Sequence, residues 1–514
     1  MENKQETVTI PKAEYDALKA DVSHLSGQVQ WLMEQIRLGQ KHRFGASSEK
    51  SEYDQPNLFN EVEAYAEPLA TEPELCEVET HYRKKRRETV DQLPEDLPVA
   101  VVEHVLPQDE QACPACSGPL HVMGKEVTRR ELKLVPASAV IVEHVRYTYA
   151  CRNCEKNAIS VPVVKAPMPK AVIKGGFASP EAVAHIATQK FVMGVPLYRQ
   201  EQEWKRQGIL LSRQTMSNWL LRASEEWLQP VYDALGQRLL EHEVLHADET
   251  VLQVLREPGK TAQSKSYMWL YRTGSDAKAP IVLMDYQQSR KAEHPKEFLG
   301  GWSGYLHADG YAGYHKLPTR ITVVGCWAHA RRKFDEALKA LPKKDQPDSG
   351  ALTGKQYCDK LFAIERELAD LPHEDRYLRR QEQAKPVLGD FLAWLQEQVG
   401  HLGKNTLGKA VRYTLEQWQY LERYLLDGRL EISNNRAERS IKPFVIDRKN
   451  FLFANTPRGA QASATIFSLV ETAKENGLNP YDYLVFIFSH APQWADDLPA
   501  HISKLMPDAF AATR

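Results

Sequence analysis

Long apolar runs are missing from this 514-residue sequence; the densest, Tyr483 to Phe488, is far too short to span a bilayer. The opening Met1-Glu2-Asn3-Lys4-Gln5-Glu6 carries no apolar stretch that could serve as a secretory signal, so the expectation is a cytoplasmic protein. Cysteine is scarce: seven residues, four of them in two close pairs, which excludes a disulfide framework and points to a metal site in a reducing compartment. Net charge is nearly absent at −2, excluding a uniformly basic nucleic-acid coat. A phosphate loop is lacking too. Gly403-Lys404-Asn405-Thr406-Leu407-Gly408-Lys409 has neither the Gly-x4-Gly-Lys-Ser/Thr order nor a preceding buried strand, so nucleotide hydrolysis is rejected.

What is present is segregated. Residues 61 to 79 hold seven Glu and no Lys or Arg, Arg83 to Arg87 are all basic, and Arg436 to Arg458 carry six basic residues against two acidic ones. The length, at roughly 100–200 residues per domain, calls for three or four modules. Tyr15, Leu18, Val22, Leu25, Val29, Leu32 and Ile36 alternate at spacings of three and four, the seam of a coiled coil, so residues 1–50 are expected to be a self-associating helix with a basic end at Lys41 to Lys50. The competing reading is an amphipathic helix packed on its own chain. Residues 51–98 are polar, charge-segregated and aperiodic, and read as a flexible linker.

In 99–165 the knuckles Cys113-Pro114-Ala115-Cys116 and Cys151-Arg152-Asn153-Cys154 predict a tetrahedral zinc site of four thiolates, structural because no coordination position stays open. Between them, Arg129 to Val135 and Ala139 to Tyr149 alternate like the strands of a hairpin. In 170–240, Ser179-Pro180-Glu181 starts a first helix, a second covers Tyr198 to Gln207, and a third opens at Ser212 with Gln214, Thr215, Ser217, Asn218 and Arg222 on its polar side. The arrangement fits a helix-turn-helix reader of DNA and fits an all-helical spacer equally.

From Glu243 the pattern changes to strands at Val244–His246, Tyr267–Arg272 and Pro280–Met284, a helix over Lys291–Leu299, and strands at Tyr305–His307 and Ile321–Val324. That is the order of an RNase H-like core, expected in two parts, 241–340 and 425–478, split by a helical insertion at 341–424 and followed by a C-terminal segment, 479–514. The fold class is thus multidomain α/β. His246-Ala247-Asp248 recurs as His307-Ala308-Asp309, each after a short apolar run, so two strands are read as ending in an aspartate. Carboxylates from separate strands converge readily on a hard cation such as Mg²⁺. Either aspartate by itself reads as an ordinary turn residue. A third carboxylate is Glu438, with Glu249, Glu431 and Glu471 as rivals; Asn435 and Glu438 also form a capping-box spacing that explains this glutamate structurally. Its company favours Glu438: Arg436, Arg439, Lys442, Arg448 and Lys449 would hold phosphates around it, as would Arg331 and Arg332 after the last strand. Cys326 and His329 have a metal-ligand spacing, although such a pair more often belongs to a core.

The runs His246 to Thr250, Asp309-Gly310-Tyr311-Ala312-Gly313-Tyr314, Cys326-Trp327-Ala328-His329-Ala330-Arg331-Arg332 and Asn434-Asn435-Arg436-Ala437-Glu438-Arg439 together resemble the DDE transposases of the insertion sequence sixty-six family. Asp447 to Ala454, Ser468 to Lys474, Arg43-Phe44-Gly45 with Ser47 to Lys50, and the cysteine knuckles extend the resemblance over nearly the whole chain. It implies that Asp248, Asp309 and Glu438 are catalytic and hold two Mg²⁺ (or Mn²⁺) ions. It implies metal-dependent cleavage at transposon ends and transfer of the 3′-hydroxyl strand into target DNA. The implied partners are the terminal inverted repeats, target DNA, another copy of the chain through the coiled coil, and small accessory proteins, with no membrane. The implied location is a bacterial cytoplasm, at the nucleoid. A structure-specific nuclease that cuts without joining, and a non-catalytic zinc-containing DNA-binding or scaffold protein, are the alternatives.

Overall fold

The computed structural model describes residues 139–150, 156, 163–399, 403 and 405–513. The expected coiled coil, basic segment, linker and the four knuckle cysteines lie outside the described residues. Residues 46–166 and the chain from Pro167 form separate compact units. In the first, β1 (Thr148–Ala150) pairs antiparallel with β2 (Val163–Lys165), Thr148 opposite Lys165. The strand expected over Ala139–Tyr149 is thus confined to its end, where it pairs with Val163–Lys165. Val140, Ile141, Val142 and Val145 are exposed. β-propensity expresses fit to a packed, paired surface, which residues 139–146 do not find among the described residues; the Tyr147 carbonyl accepts from the Ala166 N–H at 3.0 Å.

The second unit begins with three helices, α1 (Pro180–Phe191), α2 (Leu197–Arg206) and α3 (Arg213–Ala223). Ser179 and Ser212 cap the first and third as their sequence positions predict, accepting from the N–H groups of Ala182 and Thr215 at 3.1 Å each. A π-helical turn, Ser224–Leu228, leads into α4 (Gln229–Leu239).

A five-stranded sheet follows, in the order β5-β4-β3-β6-β7. Its strands are β3 (Val244–Gln253), β4 (Lys265–Thr273), β5 (Val282–Gln287), β6 (Gly304–His307) and β7 (Ile321–Val324), with α5 (Glu293–Leu299) between β5 and β6. The first three strands form an antiparallel meander, while β6 and β7 run parallel to β3. After β7 come α6 (Trp327–Lys339), then α7 (Gly350–Glu367), α8 (His373–Val399) and α9 (Thr406–Leu421), which build their own core around Phe334, Leu361, Phe391 and Trp327. The chain returns through α10 (Asn435–Phe451) and α11 (Pro457–Glu475), and finishes with α12 (Pro480–His490) and the short α13 (Leu498–His501) and α14 (Pro507–Ala511).

Strand periodicity divides the sheet between these cores: Val244 belongs to the helical core just named, Leu245 and Ala247 to the larger one. α11 is buried nearly all round from Ala464 to Ala473 because it lies along the β5 edge. There Ser468 Oγ accepts from the Met284 N–H at 2.7 Å and Thr472 Oγ1 from the Val282 N–H at 3.0 Å. One turn of spacing in a helix thereby satisfies two amides that an open sheet edge leaves bare. Beside it, the fully buried Arg272 of β4 forks onto both Glu475 oxygens at 3.1 and 2.8 Å and donates to Ser440 Oγ, tying α10 and α11 to the sheet.

Candidate active site

The register of β3 against β6 assembles the site. His246 lies opposite His307 in the parallel pair, so the repeated His-Ala-Asp tripeptides run side by side and their aspartates are brought abreast. Asp248 is not at a strand end, as the sequence reading had it. β3 continues to Gln253 because β4 pairs with it along that length, Asp248 opposite Leu270. Asp309 does lie beyond its strand. Its Oδ1 accepts from the Tyr311 N–H at 2.9 Å, an Asx turn that presents the remaining oxygen. Gly310 lets the turn pass close to α9, since a Cβ there would stand 2.9 Å from the Tyr413 hydroxyl.

Asp248 accepts the Glu249 N–H at 2.8 Å and makes no ion pair among the described residues. Burial, and then the charges of Glu249, Asp309 and Glu438, push its carboxyl well above the usual range. Glu249 is spent elsewhere. Its Oε1 accepts from Arg290 at 2.7 and 2.5 Å and its Oε2 from the Tyr314 hydroxyl at 2.6 Å, with its side chain 1% exposed. Arg290 in turn stacks 3.9 Å from the centre of the Tyr311 ring, and Tyr311 donates to the Arg290 carbonyl. Glu249 therefore braces the turn that follows Asp309.

Behind the aspartates, the His246 and His307 rings stack at 4.3 Å. Burial lowers His246 to about 3 and His307 well below its ordinary value, so both are neutral. His246 Nδ1 donates to Asn434 Oδ1 at 3.0 Å, and Asn434 Nδ2 donates to the Ala247 carbonyl at 2.8 Å. The Asn434 N–H donates to Cys326 Sγ at 3.2 Å. One asparagine thus joins β3, the start of α6 and the start of α10. That fixes where α10 begins: Asn434 is its cap residue, Asn435 is already helical, and no side-chain cap forms, so the capping box does not occupy Glu438.

Glu438 reaches toward α6. Its Oε1 stands 3.8 Å from His329 Nδ1 and its Oε2 3.5 Å from Arg332. Among the described residues, the group whose ligand atoms all lie within 4.8 Å of one another is Cys326, His329 and Glu438. The two aspartates and Glu438 feel each other's charge but do not close to that distance in this conformation. Of the rival carboxylates, Glu431 pairs with Arg436 at 2.7 Å and donates its N–H to His307 Nε2, and Glu471 pairs with Lys474 at 2.8 Å.

The basic residues divide into two sets. Arg331 pairs with Asp359 at 2.5 Å, and Arg448 donates to Thr250 and to the Val251 carbonyl. Arg439, Lys442 and Lys449, by contrast, are exposed along α10 and make no ion pair among the described residues. Sequence reasoning passed over His246, His307 and Asn434 as working parts. The repeated tripeptide was the signal for the first two, because in-register parallel strands place like beside like.

A family model described as "Transposase IS66 family" matches residues 175–462. One for the zinc-finger binding domain of transposase IS66 matches 110–155, spanning all four knuckle cysteines. "Transposase C of IS166 homeodomain" matches 31–102, and "IS66 C-terminal element" matches 468–507. The uncharacterized protein y4jD of Sinorhizobium fredii is 31% identical over 490 residues, covering 91% of this chain and 93% of its own length. Another from that organism, y4qI, is 32% identical over 426 residues, 80% of this chain and 75% of its own.

Proposed function

We propose, from the premise that this chain belongs to the IS66 transposase family, that it cuts DNA at the ends of its element and joins the freed strands to target DNA on an RNase H-like core. The sheet order, with a three-stranded antiparallel meander and two further parallel strands beside its first strand, supports that core. The observation that carries the reaction is the register placing Asp248 beside Asp309, with Glu438 within electrostatic reach.

The donor set fits a hard cation. Asp248 is crowded by three other carboxylates without an ion pair of its own, and Glu438 Oε1 is buried without a hydrogen-bond partner. Asp248, Asp309 and Glu438 would hold two Mg²⁺ or Mn²⁺ ions, which when bound supply Lewis acidity to the attacking and the leaving oxygen of the phosphodiester. Glu438 must turn from His329 toward the aspartates for the set to close. The Asx turn keeps Asp309 aimed into the site, Glu249 supports that turn, and Asn434 holds the start of α10 against β3. Water attacks first, releasing a 3′-hydroxyl, which then attacks target DNA in line. No side-chain nucleophile is needed, so no covalent enzyme intermediate forms.

The knuckle cysteines Cys113, Cys116, Cys151 and Cys154 would hold structural zinc, in keeping with the zinc-finger match. DNA is the partner, contacted by exposed Arg439, Lys442 and Lys449 and, once their internal pairs exchange, by Arg331, Arg332, Arg436 and Arg448. A second copy of the chain would join through the N-terminal helix.

The test uses the full chain with Mg²⁺, DNA carrying its element's own ends and a target, and any accessory proteins supplied. Nicking followed by joining is expected. Asp248→Asn, Asp309→Asn and Glu438→Gln should each lower both steps by about 10³-fold or more while melting normally. Cutting without joining would make the protein a nuclease, and activity persisting in Asp309→Asn would remove the carboxylates from the mechanism.

A further inference from the structure

The first turn of α6 and the first turn of α10 meet at a second cluster with a different chemistry from the paired aspartates. Cys326 stands at the cap position of α6 and His329 three residues on, so both point to one side of that helix start. Glu438 approaches from α10, and one ligand atom from each residue falls within 4.8 Å of the other two. Two of these atoms, His329 Nδ1 and Glu438 Oε1, are buried, lie 3.8 Å apart and have no hydrogen-bond partner. Unsatisfied polar atoms at such a separation are costly to keep unless something sits between them.

Bond lengths of about 2.0–2.3 Å to zinc place tetrahedral ligands roughly 3.3–3.8 Å apart, so these three, all within 4.8 Å of one another, need to close by about 1.5 Å at most. Thiol and imidazole donors discriminate against Mg²⁺ and favour Zn²⁺. Cys326 is fully buried, but the His329 and Glu438 side chains are 25% and 31% exposed and give an entry path and an open fourth position. Burial pushes the Cys326 thiol up to about 11, so an incoming ion must displace its proton.

We infer that Cys326, His329 and Glu438 form a second metal site, selective for Zn²⁺ or a similar borderline-soft cation, whose occupation withdraws Glu438 from the hard-cation site of Asp248 and Asp309. Zinc bound there inhibits the enzyme by holding one shared carboxylate. Binding follows from the cluster's geometry; the inhibition rests on the proposed catalytic reading.

The experiment titrates Zn²⁺ into the full-length chain, purified with its knuckle zinc in place, against a chelating dye and without Mg²⁺. Wild type should take up one further ion per chain, and Cys326→Ser and His329→Ala should each weaken that uptake by about 10-fold or more, while Asp248→Asn leaves it unchanged. Cobalt added to the same zinc-loaded chain reads the thiolate directly, through a near-ultraviolet sulfur-to-cobalt band present in wild type and absent from Cys326→Ser. His329, its side chain 25% exposed, provides a variant that keeps the fold if the buried serine does not. Equal uptake in wild type, Cys326→Ser and His329→Ala, or uptake lost only in Asp248→Asn, overturns the inference. In Mg²⁺-dependent cleavage, zinc at the concentration that fills the extra site should stop wild type and inhibit His329→Ala far less, each relative to its own zinc-free rate. If neither chain cleaves DNA, the catalytic reading fails while the zinc uptake still decides the site.

Discussion

Two adjacent carboxylates on β3 are both buried, and their partners separate them. Asp248 has no cationic partner among the described residues and its carboxyl is pushed well above the usual range by burial and by Glu249, Asp309 and Glu438, whereas Glu249, its neighbour in sequence, is locked by Arg290 and Tyr314. Asp285 on β5 shows what burial does when no function calls for it. It lies opposite Trp269, takes one hydrogen bond from Gln287, and burial raises its carboxyl to about 6. Its folded value exceeds its unfolded one, so the stability it contributes is complete below about pH 4 and is lost as pH rises through about 6. Asp285→Asn should therefore melt higher than wild type near pH 8, by on the order of 1–2 kcal/mol, and match it near pH 4. Thermal melts of both proteins across that range check this, and a variant that gains nothing near pH 8 refutes it.

At the scale of elements, α10 is the one that links the sheet to the outside. Its inner face is fixed by Ala437, Ser440, Ile441 and Phe444, the second through Arg272. Its outer face carries Arg439, Lys442 and Lys449 at positions that recur on one side of a helix. Each phosphate contact adds about 0.9 to the slope of log affinity against log salt, so replacing all three with alanine should lower that slope by up to about 3. Because these side chains are exposed, the melting temperature should stay put. A titration series over salt, alongside melts, distinguishes a DNA face from a solvated one.

In the whole molecule, the helices between β7 and α10 are not a passive detour. Arg380 of α8, 1% exposed, forks onto Glu365 of α7 at 2.8 and 2.6 Å. It also donates to the carbonyls of Tyr424, Asp427 and Leu430 at 2.8 to 2.9 Å. Those carbonyls belong to the segment that returns the chain to Glu431, Asn434 and α10. Removing this guanidinium leaves the Tyr424 and Leu430 carbonyls and the Glu365 carboxylate unpaired, while the Asp427 carbonyl keeps only the Leu430 N–H, at a cost of about 3–5 kcal/mol. Arg380→Ala should show that loss in denaturant unfolding. It should also lose DNA cleavage at temperatures where the sheet remains folded, since Glu438 follows the displaced segment. No helix among the described residues is long and apolar enough to cross a membrane.

Much of this was legible in the sequence because local rules apply to it directly. The serine caps of α1 and α3, the strand-rich order from Val244 to Val324 and the helical stretch after it all follow from periodicity and turn chemistry, and the structure has them. Asp248 and Asp309 were singled out by a repeated tripeptide, which is local information too. The length of β3 was not legible. A strand ends where its partner ends, and β4 pairs with β3 through Gln253. Nor could sequence free Glu438 from its apparent capping box: Asn434, not Asn435, stands at the cap position, with its side chain held by His246 and the Ala247 carbonyl, contacts made across nearly two hundred residues. The same is true of Cys326 and His329, a pair without meaning until α10 brings a carboxylate to them. Short-range spacing and propensity in the sequence were enough to single out the candidate carboxylates and most of the elements that hold them. Tertiary structure decided which carboxylate faces which donor, because that depends on register and helix packing between segments far apart in the chain.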